Sequence, residues 1–455
     1  MEYLTPQKVA EITGGEYVGN DGARFIRIAG AVRDDRDVKP GNLFVCIPGA
    51  RVDGHAFANS AFERGASCCL AERTIPDAKG PYVLVRSTLE SVRKLGGYHR
   101  SLFDIPVIGI TGSVGKTTTK EMTAAVLGVK NCICKTPENM NNALGVPLTL
   151  LSLDETHEVA IIEMGISDFG EMSRLAEMVM PNICIITKIG YSHLETLGDL
   201  EGVLRAKSEV FKYMNPDNVA ILNGDDDLLW EYDPGVRKIT FGLGNHNDFH
   251  AENVTVDKTD KVAFDIVSNA GRFAACVPSY GSHLAVAAVA AAAAGHLLGL
   301  SDEDIARGLS LYAPVSGRAN VVDTGYITLV DDCYNANPNS VMAAISSLSE
   351  LPMRRVAILG DMLGLGAQSE RMHHEIGTFA AESNIDSLIC CGENAAFIYT
   401  AYMKAGGKPA QYYPTKTELI ADIPGIIKKG DAVLVKASRG MGFEELLPAI
   451  SRWQG

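Results

Sequence analysis

The chain has 455 residues, enough for about three domains at roughly 100–200 residues each. Hydrophobic residues make up 46% and charged residues 21%, which is ordinary for a globular protein with material for several buried cores. The net charge is −14 and no Lys/Arg-rich block occurs, which argues against nucleic-acid and anionic-membrane binding; any phosphate site must therefore be built locally.

The N-terminal segment MEYLTPQKVAEITGG lacks a basic region followed by an apolar one and reads as a short helix, not a signal peptide. Short strands are predicted at GEYVG, FIRIAGAV, NLFVCI, CCLAE and YVLVR, with one helix at HAFANSAFERGA. From about residue 105, PVIGITGSVGKTTTKEMTAAVL reads as an apolar strand, a glycine turn and a helix, and strands follow at EVAIIEMG, ICIITKIG and VAILNGDDD. HLAVAAVAAAAAGHLLGL (283–300) falls slightly short of the ~20 apolar residues a membrane span needs and reads as a buried helix. The helix of SDEDIARGL follows, with Ser301 as its N-cap. After YAPVSGRANVV (312–322), the strands YITLVDDCY, RRVAILGDM, SLICCG and AVLVKAS alternate with helices. This alternation favours parallel α/β sheets, one per block, with ligands at strand C-termini facing clefts between blocks. The ten cysteines lie mostly in apolar runs (Cys46, Cys68, Cys69, Cys184, Cys390, Cys391), and Cys132 and Cys134 have no second pair at zinc-site spacing. They read as reduced, buried thiols of a cytoplasmic protein.

The strongest local signal is ITGSVGKTTTK (110–120). Gly112 and Gly115 let the backbone approach phosphate, Lys116 can reach the β/γ-phosphates, and the Thr117 hydroxyl can ligate Mg²⁺. The full GxxxxGK[ST] form is not met, because Ile110 stands where its first glycine would be; the pattern is TGxxGKT. A chance Gly/Ser turn is disfavoured by GKT directly after an apolar strand. EVAIIEMG ends in Glu163, suited to a second metal anchor at a strand end. His193 stands beyond the next strand. Lys207 in RAKSEVF reads, from the residues alone, as a surface lysine.

The segments TGSVGKTTTKEM, TPENMNNALGVPLTL, EMG, SHLETLG, RAKSEVF, SGR, DDCYNANPNSVMAA, GDMLGLG and KASRGMGFEEL occur in this order and resemble the Mur ligase family from about residue 30 to about 445. NMNNALGVP (139–147) and DDCYNANP (331–338) are the most specific pieces, and the branch resembled most closely adds D-alanyl-D-alanine to UDP-N-acetylmuramoyl-tripeptide. The resemblance implies a three-domain α/β architecture: a small N-terminal UDP-substrate domain (1–100), a central P-loop parallel-sheet ATPase domain (101–313) and a C-terminal Rossmann-like domain (314–455). It implies an ATP-dependent peptide ligase of cytoplasmic peptidoglycan precursor synthesis, monomeric and not inserted in a membrane. ATP would phosphorylate the tripeptide carboxylate, and the dipeptide amine would attack the acyl phosphate.

By the same resemblance, Thr111, Gly112, Ser113, Val114, Gly115, Lys116, Thr117 and Thr118 hold ATP, with Arg318, Asp332 and Asn335 arriving from the third domain. Lys116, Glu163, His193 and Lys207 are catalytic. Thr117 and Glu163 serve one Mg²⁺, and His193 and a carbamylated Lys207 serve a second, which reverses the surface reading of that lysine. Asn139, Asn141 and Asn142 would lie beside the acyl acceptor, although a helix-capping loop explains them equally well. Lys436, Ser438 and Arg439 would face the dipeptide. Asp34, Arg36, Asp53 and His55, with Phe44 and Gly49 nearby, would serve the UDP end.

Five positions depart from the family pattern: Asp35 replaces a Ser or Thr, Lys188 an Asn, Leu284 and Ala287 two amides, and Gly364 an acid. Two further readings compete. One is another amide ligase of the superfamily, either the enzyme that adds the third residue or one like folylpolyglutamate synthetase. The other is a P-loop nucleotide switch or ATPase, for which no guanine-reading NKxD segment is found.

Overall fold

The computed structural model describes residues 4–49, 52–257 and 261–452. Ala50 and Arg51, within the first-block signature, lie outside them. Three sheets organise the chain, in the three-domain α/β architecture expected.

The first sheet has five strands in the order Glu16–Val18, Tyr82–Leu84, Cys68–Ala71, Asn42–Val45, Gly30–Val32; all neighbours are parallel except the first pair. Each of its strands falls within a run predicted as strand. HAFANSAFERGA is not one helix: Asp53 caps a 3-10 turn at Gly54–Phe57, which leads into the helix Ala58–Glu63. The helix Thr88–Arg100 was not anticipated, although Ser87 accepts from the Glu90 backbone N–H at its start.

The central sheet is built outward from Val107–Thr111, paired in parallel with Val159–Glu163 on one side and Ile183–Ile186 on the other. All three strands are buried along their whole length, as strands covered by helices on both faces must be. Ile133–Lys135 forms one edge; Val219–Asn223 and Arg237–Gly242 extend the other side. An antiparallel unit, Phe249–Asp257, Lys261–Ser268 and Gly271–Val277, completes nine strands. Sequence patterning passed over this unit, because only alternate residues of Lys261–Ser268 are buried and no continuous apolar run marks it. The alanine-rich segment is the helix Leu284–Leu297, buried nearly all round and packed on the helix Lys116–Leu127 behind the phosphate loop. No helix among the described residues is long and apolar enough to cross a membrane.

The C-terminal sheet has six strands in the order Asn320–Asp323, Thr328–Asp331, Ala432–Lys436, Arg355–Gly360, Ser387–Cys391, Ala410–Tyr413, parallel except for the first pair. Its two edge strands, Asn320–Asp323 and Ala410–Tyr413, were not predicted. Eight of the ten thiols are buried; Cys132 is exposed and Cys276 half-buried. The C-terminal block meets the central one directly. Asn339 Oδ1 accepts from the Tyr191 N–H at 3.2 Å, Ser282 Oγ donates to Glu350 Oε1 at 3.1 Å, and His283 Nδ1 lies 3.2 Å from Ser347 Oγ.

Candidate active site

The C-terminal ends of Val107–Thr111, Val159–Glu163 and Ile183–Ile186 converge on one side of the central sheet. The first strand runs into the phosphate loop, where Gly112 has φ 143° and Gly115 has φ 82° just before the helix Lys116–Leu127. A Cβ on Gly112 would stand 2.0 Å from Thr187 Oγ1, so only glycine fits against the neighbouring strand end. The loop is fastened to that strand end: Ser113 N–H donates to Lys188 O at 2.8 Å, and Thr187 Oγ1 donates to Val114 O at 2.5 Å. Lys116 Nζ donates to Gly112 O at 2.8 Å, curled over the turn of its own loop. Burial, only partly offset by Glu163, lowers the Lys116 ammonium to about 8.

Glu163 is fully buried. Its Oε1 accepts from Thr117 Oγ1 at 3.1 Å and from Asn141 Nδ2 at 2.7 Å, while Oε2 is buried without a hydrogen bond, 3.7 Å from Lys120 Nζ. A buried carboxylate oxygen with no donor, beside a threonine hydroxyl, is an oxygen set that suits one Mg²⁺. Sequence reasoning missed Lys120. It is enclosed on the inner face of the loop helix, donating to Thr136 O at 2.8 Å and Glu138 O at 3.0 Å. Its signal was a lysine one turn after Lys116 on a helix face otherwise made of small residues, threonine and alanine.

Lys207 is 1% exposed at the end of the helix Leu200–Ser208. Burial first and the Lys116 charge second push its ammonium well below the usual lysine range. The surface reading of Lys207 made from chemistry alone is thus corrected: the helix turns it inward, into the cleft. His193 adopts φ 55° at the start of the short helix Leu194–Leu197. Partial desolvation, then Lys207 and Lys116, bring its imidazole down to about 4, so it is a neutral donor at pH 7. An imidazole and an amine are not a magnesium set by themselves. They fit one only once the amine carries a carboxylate.

The cleft is about 1120 Å³, larger than the roughly 300–1,000 Å³ of a single small-ligand pocket. Residues 112–116, Thr118, Asn141, Asn142, His193 and Lys207 line it from the central block, and Arg318, Asp332, Asn335, Lys436, Ser438 and Arg439 from the C-terminal block. Thr111, Thr117 and Glu163 lie behind this lining, buried. Arg318 stacks on Tyr334 with 3.9 Å to the ring centroid, and its charge reaches Lys116 across the cleft. Asp332 accepts from Lys436 Nζ at 2.6 Å and from the Ala319 N–H at 3.1 Å. Lys436 also donates to Asn335 O, so its charge is already held within its own block. Ser438 bonds Ala336 O and the Leu363 N–H, and Arg439 pairs with Glu444 at 3.1 Å.

Other expected residues take local parts. Asn142 Oδ1 accepts from the Leu144 and Gly145 N–H groups and starts the helix Gly145–Leu150, while Asn139 is exposed outside the cleft lining. Asp34 pairs with Arg36 and is held at about 2 by it. Asp53 accepts from His55 Nδ1 at 2.6 Å, and His55 Nε2 accepts from the Glu72 N–H at 2.8 Å. None of Asp34, Arg36, Asp53 and His55 lines the cleft. Asp35 is engaged by Ser60 and Arg64. Where the two amides are missing, Leu284 and Ala287 join Phe241 and Tyr280 in an apolar stretch of cleft wall.

Residues 24–88 match the Mur ligase family catalytic domain, 110–295 the Mur ligase middle domain and 317–439 the Mur ligase glutamate ligase domain. The UDP-N-acetylmuramoyl-tripeptide–D-alanyl-D-alanine ligase of Bacillus subtilis (strain 168) is 35% identical over 97% of both chains. The UDP-N-acetylmuramoylalanyl-D-glutamyl-2,6-diaminopimelate–D-alanyl-D-alanyl ligase of Acinetobacter baumannii superposes with a TM-score of 0.84 at 29% identity, over 99% of this chain and 98% of its own. The MurF ligase of Thermotoga maritima, solved in complex with ADP, gives a TM-score of 0.81 at 28% identity over 95% and 98%. Three family segments in family order, and a relative matched from end to end, place this chain in the Mur ligase family.

Proposed function

We propose that this chain is the ATP-dependent ligase that joins D-alanyl-D-alanine to the terminal carboxylate of UDP-N-acetylmuramoyl-tripeptide, in peptidoglycan precursor synthesis. The observation that carries the reading is the meeting of a phosphate loop, a buried acid with a free oxygen and two lysines of lowered pKa in one cleft. A nucleotide switch also uses the loop, its lysine and a metal-holding acid, but it has no use for a second buried lysine such as Lys207. The chain divides near residues 100 and 313, the C-terminal part closing over ATP held by the central part.

The chemistry follows from the charges. Phosphoryl transfer to a carboxylate brings several anions together, so the site must neutralise charge and hold the donor in line. Lys116 leaves its loop carbonyl for the β/γ-phosphates, while the loop N–H groups and the helix N-terminus hold the remaining oxygens. Arg318 approaches the same phosphates from the other side. Thr117 and Glu163, oriented by Asn141, would hold one Mg²⁺, and His193 with a carbamylated Lys207 would hold a second. These ions would supply charge neutralisation on the phosphates when bound. The neutral amine that carbamylation requires is what burial and Lys116 favour at position 207. The dipeptide amine, once deprotonated, attacks the acyl phosphate; the tetrahedral adduct releases phosphate and leaves the amide.

The test is product mass. With ATP and UDP-muramoyl-tripeptide, D-Ala-D-Ala should give the pentapeptide adduct and single amino acids should not. Absence of the dipeptide adduct would sink the reading.

A further inference from the structure

Among the charged side chains that line the cleft outside this chemistry is Arg174. The helix Glu171–Val179 places Glu171, Arg174, Leu175 and Met178 on the cleft wall, the i, i+3, i+4, i+7 face of a helix. Its first turn stands at the reacting end, since the Glu171 charge acts on His193. Its last turn packs on the first block, where a Cβ on Gly97 would meet Met178 at 3.7 Å. Of the arginines lining the cleft, Arg93 is bound to Glu90, Arg318 to the Tyr334 ring and Arg439 to Glu444. The Arg174 guanidinium has no partner among the described residues. It folds back toward the reacting end, with Nη1 3.4 Å from where a Cβ on Gly170 would stand. Glu171, the one acid beside it on this face, is occupied by the Ser167 and Asp168 N–H groups at 2.7 and 3.2 Å.

We infer that Arg174 is a specificity-determining residue that reads a carboxylate at the far end of the third residue's side chain, so that the accepted tripeptide ends in a 2,6-diaminopimelate-type residue and not in L-lysine. The inference rests on the proposed ligase activity and deepens it. The α-carboxyl of the third residue is the group activated beside His193 and Lys207. In an extended seven-carbon diamino diacid the second carboxyl lies roughly 7 Å from the first. Arg174 is one helical turn from Glu171, about 4.5 Å along the axis, and its flexible side chain spans the remainder by swinging out from its folded-back position against Gly170. A planar guanidinium forks onto a carboxylate and repels an ammonium. L-Lysine is the same residue without that carboxylate, and it would leave Arg174 unpaired.

The experiment measures KM and kcat with the diaminopimelate and L-lysine tripeptides, using the full chain, ATP and D-Ala-D-Ala. The wild type should favour the diaminopimelate substrate by about tenfold in kcat/KM. Arg174→Met should raise KM for that substrate by about tenfold and leave kcat, the KM for ATP and the lysine substrate within about twofold. Arg174→Lys should recover part of the loss, and Arg174→Glu should turn the preference toward lysine. A parallel rise for both tripeptides would mean that Arg174 holds a group common to them, such as the diphosphate, and would overturn the inference. So would an unchanged KM or a wild-type preference for lysine. Failure of the wild type to join the dipeptide to either tripeptide would instead remove the ligase reading beneath it.

Discussion

The Lys207 ammonium is enclosed at 1% exposure with another lysine as the neighbouring charge that most affects it. A buried cation without a counter-ion costs stability at neutral pH, because the unfolded chain holds that proton more tightly. Lys207→Ala should therefore keep or raise the melting temperature while lowering ligase turnover by at least about a hundredfold. Full activity in that variant would remove the metal-ligand role, and stripping CO₂ from wild-type buffer should lower activity reversibly. Lys116 titrates at about 8 against 10.5 when unperturbed. Between those values the unfolded state binds more protons, so the stability of the nucleotide-free protein should rise with pH there. ADP phosphates restore the charge, so ADP binding should take up a proton at pH 8–9, seen calorimetrically in two buffers of different ionisation heat and lost in Lys116→Met. The GKT lysine and the strand-end Glu163 were legible because each is fixed by its own strand–loop step. The Asp332–Lys436 pair was not. It joins residues 104 apart through the register Asp331↔Val435, which no local pattern reveals. The contact of His55 with the Glu72 N–H was hidden for the same reason, since the two stand on different segments.

Elements show the same division. Strands with continuous apolar runs and the alanine-rich helix were readable, because burial on all sides leaves an unbroken hydrophobic signature. The half-exposed strands from 249 to 277 and the edge strands of the C-terminal sheet were not, since their stability comes from pairing with neighbours already in place. Gly112→Ala forces a Cβ onto Thr187 Oγ1 in a φ that side chains rarely adopt. It should cost about 1–3 kcal/mol in denaturant unfolding and weaken ADP binding by at least about tenfold. Ala290→Leu, at 0% exposure in the helix Leu284–Leu297, should destabilise by about 1–3 kcal/mol. An unchanged midpoint would mean that the space around Ala290 admits the larger side chain and that the helix is not closely packed there.

At the scale of the molecule, the cleft exists because two blocks meet along a seam of few polar contacts: Asn339 on the Tyr191 N–H, Ser282 on Glu350, and His283 beside Ser347. Seams of this kind permit domain motion, and the proposed mechanism requires the C-terminal part to deliver Arg318 to a phosphate site built by the central part. The double variant Asn339→Ala, Glu350→Ala should increase the radius of gyration in small-angle scattering without nucleotide, and ADP should reverse the increase. The central claim is that phosphate-loop chemistry here is tied to amide formation, and phosphate release under each combination of substrates tests it most directly. The expected result is one phosphate per amide formed, and only when ATP, UDP-muramoyl-tripeptide and D-Ala-D-Ala are all present. Steady ADP formation with neither co-substrate present, or phosphate release without amide product, would contradict it.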